Sequence, residues 1–222
     1  ALRAAIEPLG RYLATPRVAK HRYFIWLPSQ VLPDCRLTVI ARQDDLTLGL
    51  LSSRPHLLWA LANASMHGVG NDPPYNAKSC FETFPFPSPT PDQQTRIRDL
   101  AEQLDAHRKR QQAQHPTLTL TGMYNVLAKL RSGEPLTAKD KTIHETGLVA
   151  ILRQLHDELD TAVLETYGWQ DLLPSPASGR GACPERVEGA GGEGINTDTL
   201  LDRLVALNAE RSRDEATGQI RW

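Results

Sequence analysis

The residues with the clearest chemical potential form the string Asn71-Asp72-Pro73-Pro74-Tyr75. In such a string, a polar side chain and a backbone carbonyl can accept hydrogen bonds from the amino group of a flipped base, while the aromatic ring stacks on that base. A loop with this activity follows a buried strand, but residues 62–70 lack a strand pattern. The string is therefore interpreted either as a catalytic box or, preferably, as a turn on a loop that faces DNA.

Other patterns that commonly carry chemistry are weak. A GxGxxG string occupies 189–194, but 183–188 do not form the apolar strand that a nucleotide- or S-adenosylmethionine-binding loop requires. The seven histidines show no metal-ligand spacing, and no GxSxG nucleophile turn is present. Three cysteines without a CxxC pair argue against a disulfide framework and fit a reducing cytoplasm. We expect neither a metal site nor a catalytic residue here.

Charge is distributed unevenly along the 222 residues. The net charge is −1, but residues 1–86 hold nine basic and six acidic side chains, whereas 87–222 hold sixteen and twenty. Within 11–42, six basic residues accompany one acidic residue, Asp34. Such an excess is expected where a protein meets nucleic acid, although scattered surface cations would give the same count. No apolar run approaches the roughly 20 residues of a membrane span, so no membrane partner is expected.

The N-terminal half is predicted to be rich in short strands. Strands are expected at 11–18, 22–27, 37–42 and 46–51, because β-branched and aromatic residues alternate there with turn residues. The last two would form a hairpin over 37–49. A helix is predicted at 53–62 with Ser53 as its N-cap, followed by a long loop at 64–79. Residues 80–91 would form a closing strand that continues into a stiff, proline-rich exit.

The C-terminal half is predicted to be helical. Apolar residues recur at helical spacing in 91–112, 121–131, 148–167 and 197–213, and Gly168 is the expected end of the third helix. The leucine stripes of the last two helices are expected to be core. Residues 174–194 contain three prolines and six glycines and are predicted to be a flexible insert.

These elements predict an α+β fold, with a small mixed or antiparallel β region followed by a mostly α-helical C-terminal region. The expected divisions are 1–87, the helical domain 88–173, the insert 174–196 and the terminal helix 197–222.

Several strings together resemble one family. RYLATPRVAKHR (11–22), VIARQDD (39–45), LLSSRPHLLWAL (50–61), GVGNDPPYNAKSCFETFPFP (68–87) and LTLTGMYN (118–125) resemble the C-terminal region of MmeI-like enzymes. Those enzymes join an endonuclease, an adenine-N6 DNA methyltransferase and a target-recognition domain in one chain. The tail at 200–222 looks like the end of the same class I methyltransferases.

The resemblance implies a role in restriction-modification. Residues 1–87 would be the C-terminal part of a DNA target-recognition domain, and the partners would be double-stranded DNA and the methyltransferase catalytic domain of the same chain. The S-adenosylmethionine loop and catalytic box would lie upstream of Ala1 in a longer cytoplasmic polypeptide. The fragment itself would bind no cofactor and transfer no methyl group.

Candidate DNA-binding residues follow from the chemistry of base edges and phosphates. Arginine and lysine donate to phosphates and guanine, whereas amides and carboxylates pair with adenine and cytosine. The predicted basic surface comprises Arg17, Lys20, His21, Arg22, Arg42 and Arg54, and the loop candidates are Asn71, Asp72, Tyr75, Asn76 and Lys78.

Two alternatives remain open. In the first, the string at 71–75 is the catalytic box of a split methyltransferase. In the second, the leucine-striped helices form a scaffold for protein–protein contacts, without affinity for DNA.

Overall fold

The computed structural model describes residues 2–64, 72–173 and 195–219. It confirms the α+β fold, with a three-stranded antiparallel sheet and a set of packed helices. The strands are β1 (Arg11–Pro16), β2 (Ile25–Pro28) and β3 (Leu37–Ile40). The helices are α1 (Leu2–Ile6), α2 (Asp45–Ser52), α3 (Arg54–Ala62), α4 (Pro91–Gln114), α5 (Leu120–Ser132), α6 (Ala138–Thr146), α7 (Val149–Tyr167) and α8 (Thr197–Ala216), with a π-helical turn at Ala77–Phe81 and a 3-10 turn at Gln170–Leu172.

The central strand, β1, is held between two apolar layers. It pairs antiparallel with β2 on one side and β3 on the other, giving the order β2-β1-β3. Because side chains alternate along a strand, Tyr12 and Ala14 pack with Ile6 of α1, whereas Leu13 packs with Phe24 and the helices. The strand is therefore a rigid support for the loop that follows Pro16.

The predicted hairpin over 37–49 is wrong, because residues 45–52 form helix α2 and not a strand. Asp44 is its N-cap: the Asp44 carboxylate accepts a hydrogen bond of 2.9 Å from the Thr47 N–H. The turn residues that suggested a hairpin are thus a helix start. Residues 47–52 are buried on every side, between the sheet and the helices, so the sequence shows an apolar run without a period.

The predicted closing strand at 80–91 is also wrong. Residues 77–81 form a π-helical turn, and the chain from 85 to 90 has no regular secondary structure. Its prolines lack the N–H groups that a strand would donate. Phe84 and Phe86 nevertheless pack edge to face in the core, with ring centroids 4.9 Å apart. The phenylalanines therefore anchor an extended exit into α4 instead of closing the sheet.

Five predicted helices are confirmed with small shifts at their ends: α3, α4, α5, α7 and α8. Helix α7 ends at Gly168, which has a φ of 73°, as its glycine predicts. Helix α6 was not predicted, although Thr137 and Asp140 form a capping box at its start. The insert predicted at 174–194 lies outside the part of the chain that the structure describes.

The helical core is built around α4 and α7, and α2 packs against both. Buried leucines such as Leu104, Leu152 and Leu159 fill the space between them. Leu200 and Leu204 of α8 pack against Trp59. The leucine stripes are thus core, as predicted. None of the helices within the described ranges is both long and apolar enough to cross a bilayer.

Candidate nucleic-acid interface

The structure brings three loops together where β1 ends. The Arg17 N–H donates to the Arg36 carbonyl oxygen at 2.7 Å, and the Arg17 carbonyl accepts from the Tyr75 N–H at 2.6 Å. An isolated bridge joins Val18 to Pro74. The loops around 17–23, 34–36 and 72–78 therefore share one edge. We call its exposed cations, Arg17, Lys20, Arg36 and Lys78, the basic edge.

The Arg22 side chain joins two of the segments that form this edge. Its guanidinium donates to the Thr15 hydroxyl at 3.1 Å, to the Pro16 carbonyl, and to the Pro73 carbonyl at 3.0 Å. The same group lies 5.0 Å from the centre of the Tyr75 ring. Burial lowers the pKa of Arg22 from its ordinary value. Arg22 thus ties the 72–75 loop to β1, and its three hydrogen bonds are all used within the protein.

Tyr75 is part of the core, with 3% of its surface exposed. Its hydroxyl donates to His56 Nε2 at 3.1 Å, while His56 Nδ1 donates to the Leu51 carbonyl at 2.9 Å. This tautomer follows because a carbonyl can only accept. Burial lowers the pKa of His56 to about 4 and raises the pKa of Tyr75. The ring presents no free face on which a flipped base could stack.

Lys20 and His21 meet helix α5. Lys20 Nζ donates to the Asn125 side-chain oxygen at 3.2 Å, and His21 Nε2 lies 2.9 Å from the same oxygen. The His21 ring also lies against Tyr124, with centroids 6.2 Å apart. The basic edge therefore continues onto α5.

Two predicted cations lie elsewhere. Arg42 follows β3 and pairs with Asp44 at 3.2 Å, at the end of the sheet where β1 begins. That end lies about 20 Å from Arg17, the length of the six-residue strand. The Arg54 guanidinium donates to the Thr197 hydroxyl at 3.0 Å, beside α8. The structure does not bring Arg42 and Arg54 together with the basic edge.

The loop candidates differ in their surroundings. Asp72 and Lys78 are exposed. The Asn76 side-chain oxygen accepts from the Lys78 N–H at 2.9 Å and so caps the π-helical turn. Asn71 lies outside the described residues. The π-helical turn therefore fixes the backbone that carries Lys78.

The electrostatic character of this edge comes from cations without nearby carboxylates. Across the described ranges, Arg17, Lys20 and Lys78 have no carboxylate within 4 Å, whereas Arg36 has Asp34 at 3.8 Å. Arg11, by contrast, pairs with Asp45 at 2.6 Å. Unpaired cations on a rigid edge are suited to bind phosphate oxygens.

Within the ranges that the structure describes, no side chains are assembled to hold a metal or S-adenosylmethionine. Among the described residues, no group of three or more His, Cys, Asp and Glu side chains is arranged to hold a metal. Among the described elements, only β3 runs directly into a helix, α2, and it does so through Ala41-Arg42-Gln43-Asp44, without a glycine loop. That turn does not fit S-adenosylmethionine, whose binding needs a glycine turn under the ligand. The GxGxxG string lies outside the described residues.

Sequence reasoning missed Arg36 and Asn125 as members of this region. Arg36 belongs to the basic run, but only the pairing of β1 with β3 places it beside Arg17. Asn125 lies 105 residues from Lys20 and has no charge to mark it. Its position within the string LTLTGMYN was the only indication in the sequence.

Comparison with known proteins supplies a fold relationship. No family model and no curated protein matches the chain. A solved structure of the type IIL restriction-modification enzyme MmeI in complex with DNA matches with a TM-score of 0.60 and 19% sequence identity. The two chains share a fold. The match covers 90% of this chain and 21% of the MmeI chain, so this chain spans about a fifth of that enzyme's length.

Proposed function

We propose that this chain contacts double-stranded DNA through the basic edge, as part of the target-recognition region of a bacterial adenine-N6 methyltransferase of the restriction-modification type. The observation that carries the proposal is the set of unpaired cations Arg17, Lys20 and Lys78 on loops that the core holds in place. The fold shared with MmeI and the family-like strings support the same conclusion.

The cations and the loop would have separate tasks. Arg17, Lys20 and Lys78 neutralise phosphates and set the position of the protein on the duplex, which gives affinity without sequence preference. Asp72, exposed on the adjoining loop, can accept a hydrogen bond from a cytosine amino group in the major groove. Specificity would then come from the 72–78 loop and affinity from the surrounding basic edge.

Methyl transfer belongs, in this proposal, to a catalytic domain outside these residues, and that domain would bind S-adenosylmethionine in the cytoplasm. The burial of Tyr75 supports this division, because its ring cannot stack on a flipped base. Transfer of labelled methyl groups to DNA by these 222 residues alone would contradict it.

The test is a fluorescence-anisotropy titration of labelled duplex DNA at several salt concentrations. Arg17→Ala, Lys20→Ala and Lys78→Ala should each weaken binding to every duplex and lower the slope of log affinity against log salt by about 1. Asp72→Ala should change the preference between duplexes and leave the slope unchanged.

The matched control is Arg98→Ala on α4, which removes an exposed cation whose guanidinium bonds only to Gln94 of its own helix among the described contacts. It should bind like the parent protein. If the three substitutions on the basic edge behave like Arg98→Ala, the proposal is wrong.

A further inference from the structure

Asn125 joins the basic edge to the helical region through one atom. Its side-chain oxygen lies 3.2 Å from Lys20 Nζ and 2.9 Å from His21 Nε2. Lys20 is exposed and, among the described residues, has no carboxylate within 4 Å. The contact therefore orders a cation that would otherwise sample many rotamers.

Chemistry fixes the orientation of the Asn125 amide. A lysine ammonium group only donates, so the oxygen and not the nitrogen of Asn125 must face it. His21 Nε2 then has to carry a proton and donate to the same oxygen. Both lone pairs of that oxygen are used. Asn125 and Lys20 therefore have only N–H groups left to donate to a ligand. Such donors match an acceptor such as a phosphate oxygen, but they do not match an adenine edge, which presents one donor and one acceptor.

A buried network holds both segments in register. The neighbouring residue, Tyr124, has its hydroxyl 2.8 Å from His156 Nε2 and bonded to the Arg108 guanidinium. Arg108, 2% exposed, also donates to the Phe24 carbonyl at 3.1 Å. The Tyr23 ring stacks on Tyr124 with centroids 5.6 Å apart. Residues 20–24 and α5 are thus fixed against each other behind the contact.

We propose that Asn125 is a positioning residue of the DNA interface: its side-chain oxygen holds Lys20, with His21 on the same oxygen, so that the lysine ammonium group meets one backbone phosphate. This inference rests on the proposed function and adds α5 to the elements that support the DNA interface. The pre-ordered lysine loses little side-chain freedom on binding, which favours affinity.

The experiment compares Asn125→Ala, Lys20→Ala and the double variant by DNA affinity and its salt dependence in the full chain. Asn125→Ala should weaken binding about ten-fold or more, the effect of losing one charge-assisted hydrogen bond, and reduce the salt slope by about 1. In the Lys20→Ala background, Asn125→Ala should have little further effect, because the residue acts through the lysine. A purely structural defect would lower the active fraction and leave the slope unchanged.

Asn125→Asp supplies the conservative comparison. It keeps the acceptor oxygen but adds a charge that neutralises Lys20, so the slope should again fall by about 1 while the midpoint of unfolding in urea does not decrease. Gln154→Ala, an exposed amide on α7 that bonds to Glu158, is the control and should bind like the parent protein.

The outcomes separate the two proposals. If Arg17→Ala and Lys78→Ala reduce the slope but Asn125→Ala does not, this inference is overturned and the DNA interface stands. If Asn125→Ala and Lys20→Ala act additively, Asn125 does not position the lysine and the inference is again overturned. If no substitution on the basic edge changes binding, the proposed function fails and this inference fails with it.

Discussion

Arg17 and Arg22 are five positions apart in the chain, yet one side chain faces solvent and the other is largely packed inside the protein. Arg17 is exposed and, among the described residues, has no carboxylate within 4 Å. Arg22 is largely buried, and its guanidinium donates hydrogen bonds to Thr15, Pro16 and Pro73. The sequence shows two arginines and cannot show which one turns inward. The charge count predicted a basic surface, but the contacts decide which cations remain exposed without a carboxylate partner.

Asp160 is the residue whose titration should be visible in the stability of the protein. It is buried on α7, and its carboxylate accepts from the Arg54 N–H at 2.6 Å, at the start of α3. Burial raises its pKa to about 7. The folded protein therefore holds this proton more tightly than the unfolded chain, whose carboxyl has a pKa near 4. As the pH rises from about 4 to about 7, the free energy of unfolding should fall by up to about 4 kcal/mol from this group.

Asp160→Asn tests this effect, because asparagine keeps the acceptor oxygen and never ionises. Urea unfolding at a series of pH values should show the variant gaining stability over the parent as the pH rises from about 4 to 7. His56 has the opposite effect on stability. Because burial lowers its pKa to about 4 in the folded protein, its contribution makes the free energy of unfolding fall as the pH decreases below about 6.5. Comparing the variant with the parent at each pH cancels this contribution. A difference that stays constant with pH would contradict the account.

At the scale of elements, the sequence predicted the long amphipathic helices, helix α3 and the three strands, and it failed for the segments 46–51 and 80–91. Helices α4, α5, α7 and α8 have one apolar face, so their period is visible. Helix α2 is buried all round and has no visible period, and its capping residue Asp44 also fits a hairpin turn. Only tertiary packing resolves such a segment, because a buried strand and a buried helix are equally apolar.

The close packing of α2 on α4 depends on Gly49. A Cβ atom there would lie 2.5 Å from Ile97 Cγ2 and 3.1 Å from the Ile97 carbonyl oxygen. Gly49→Ala should therefore push the helices apart and lower the free energy of unfolding by about 1–2 kcal/mol, because overpacking outweighs the higher helix propensity of alanine. Urea denaturation measures this change.

Gly122 of α5 is the matched helical glycine, since its added Cβ would meet only the Thr119 hydroxyl at 3.2 Å and Ile143 Cδ1 at 3.5 Å. Gly122→Ala should change stability by less than about 1 kcal/mol. If Gly49→Ala were as stable as Gly122→Ala, the described approach of α2 and α4 would be incorrect.

For the whole molecule, the fold class was predictable, whereas the set of residues that share the basic edge was not. A loop at 64–79 was predicted, and the end of strand β1 brings its described part next to the segment around Lys20. Asn125 lies 105 residues from Lys20 in the sequence, so no local sequence pattern could connect the two. Arg42 and Arg54 do not belong to the basic edge, because Arg42 lies at the other end of the sheet and Arg54 lies beside α8. Long-range packing thus decides which of the predicted residues lie together on the basic edge.

Two triple variants that remove the same net charge test whether DNA binds at the basic edge. One removes the basic-edge cations Arg17, Lys20 and Lys78, and the other removes the exposed cations Arg98, Lys139 and Arg213, all by substitution with alanine. Duplex binding is followed between about 50 and 200 mM salt. If DNA binds at the basic edge, the first variant loses about 3 from the slope of log affinity against log salt and the second keeps the parent slope. Equal slopes for the two variants would contradict binding at this edge.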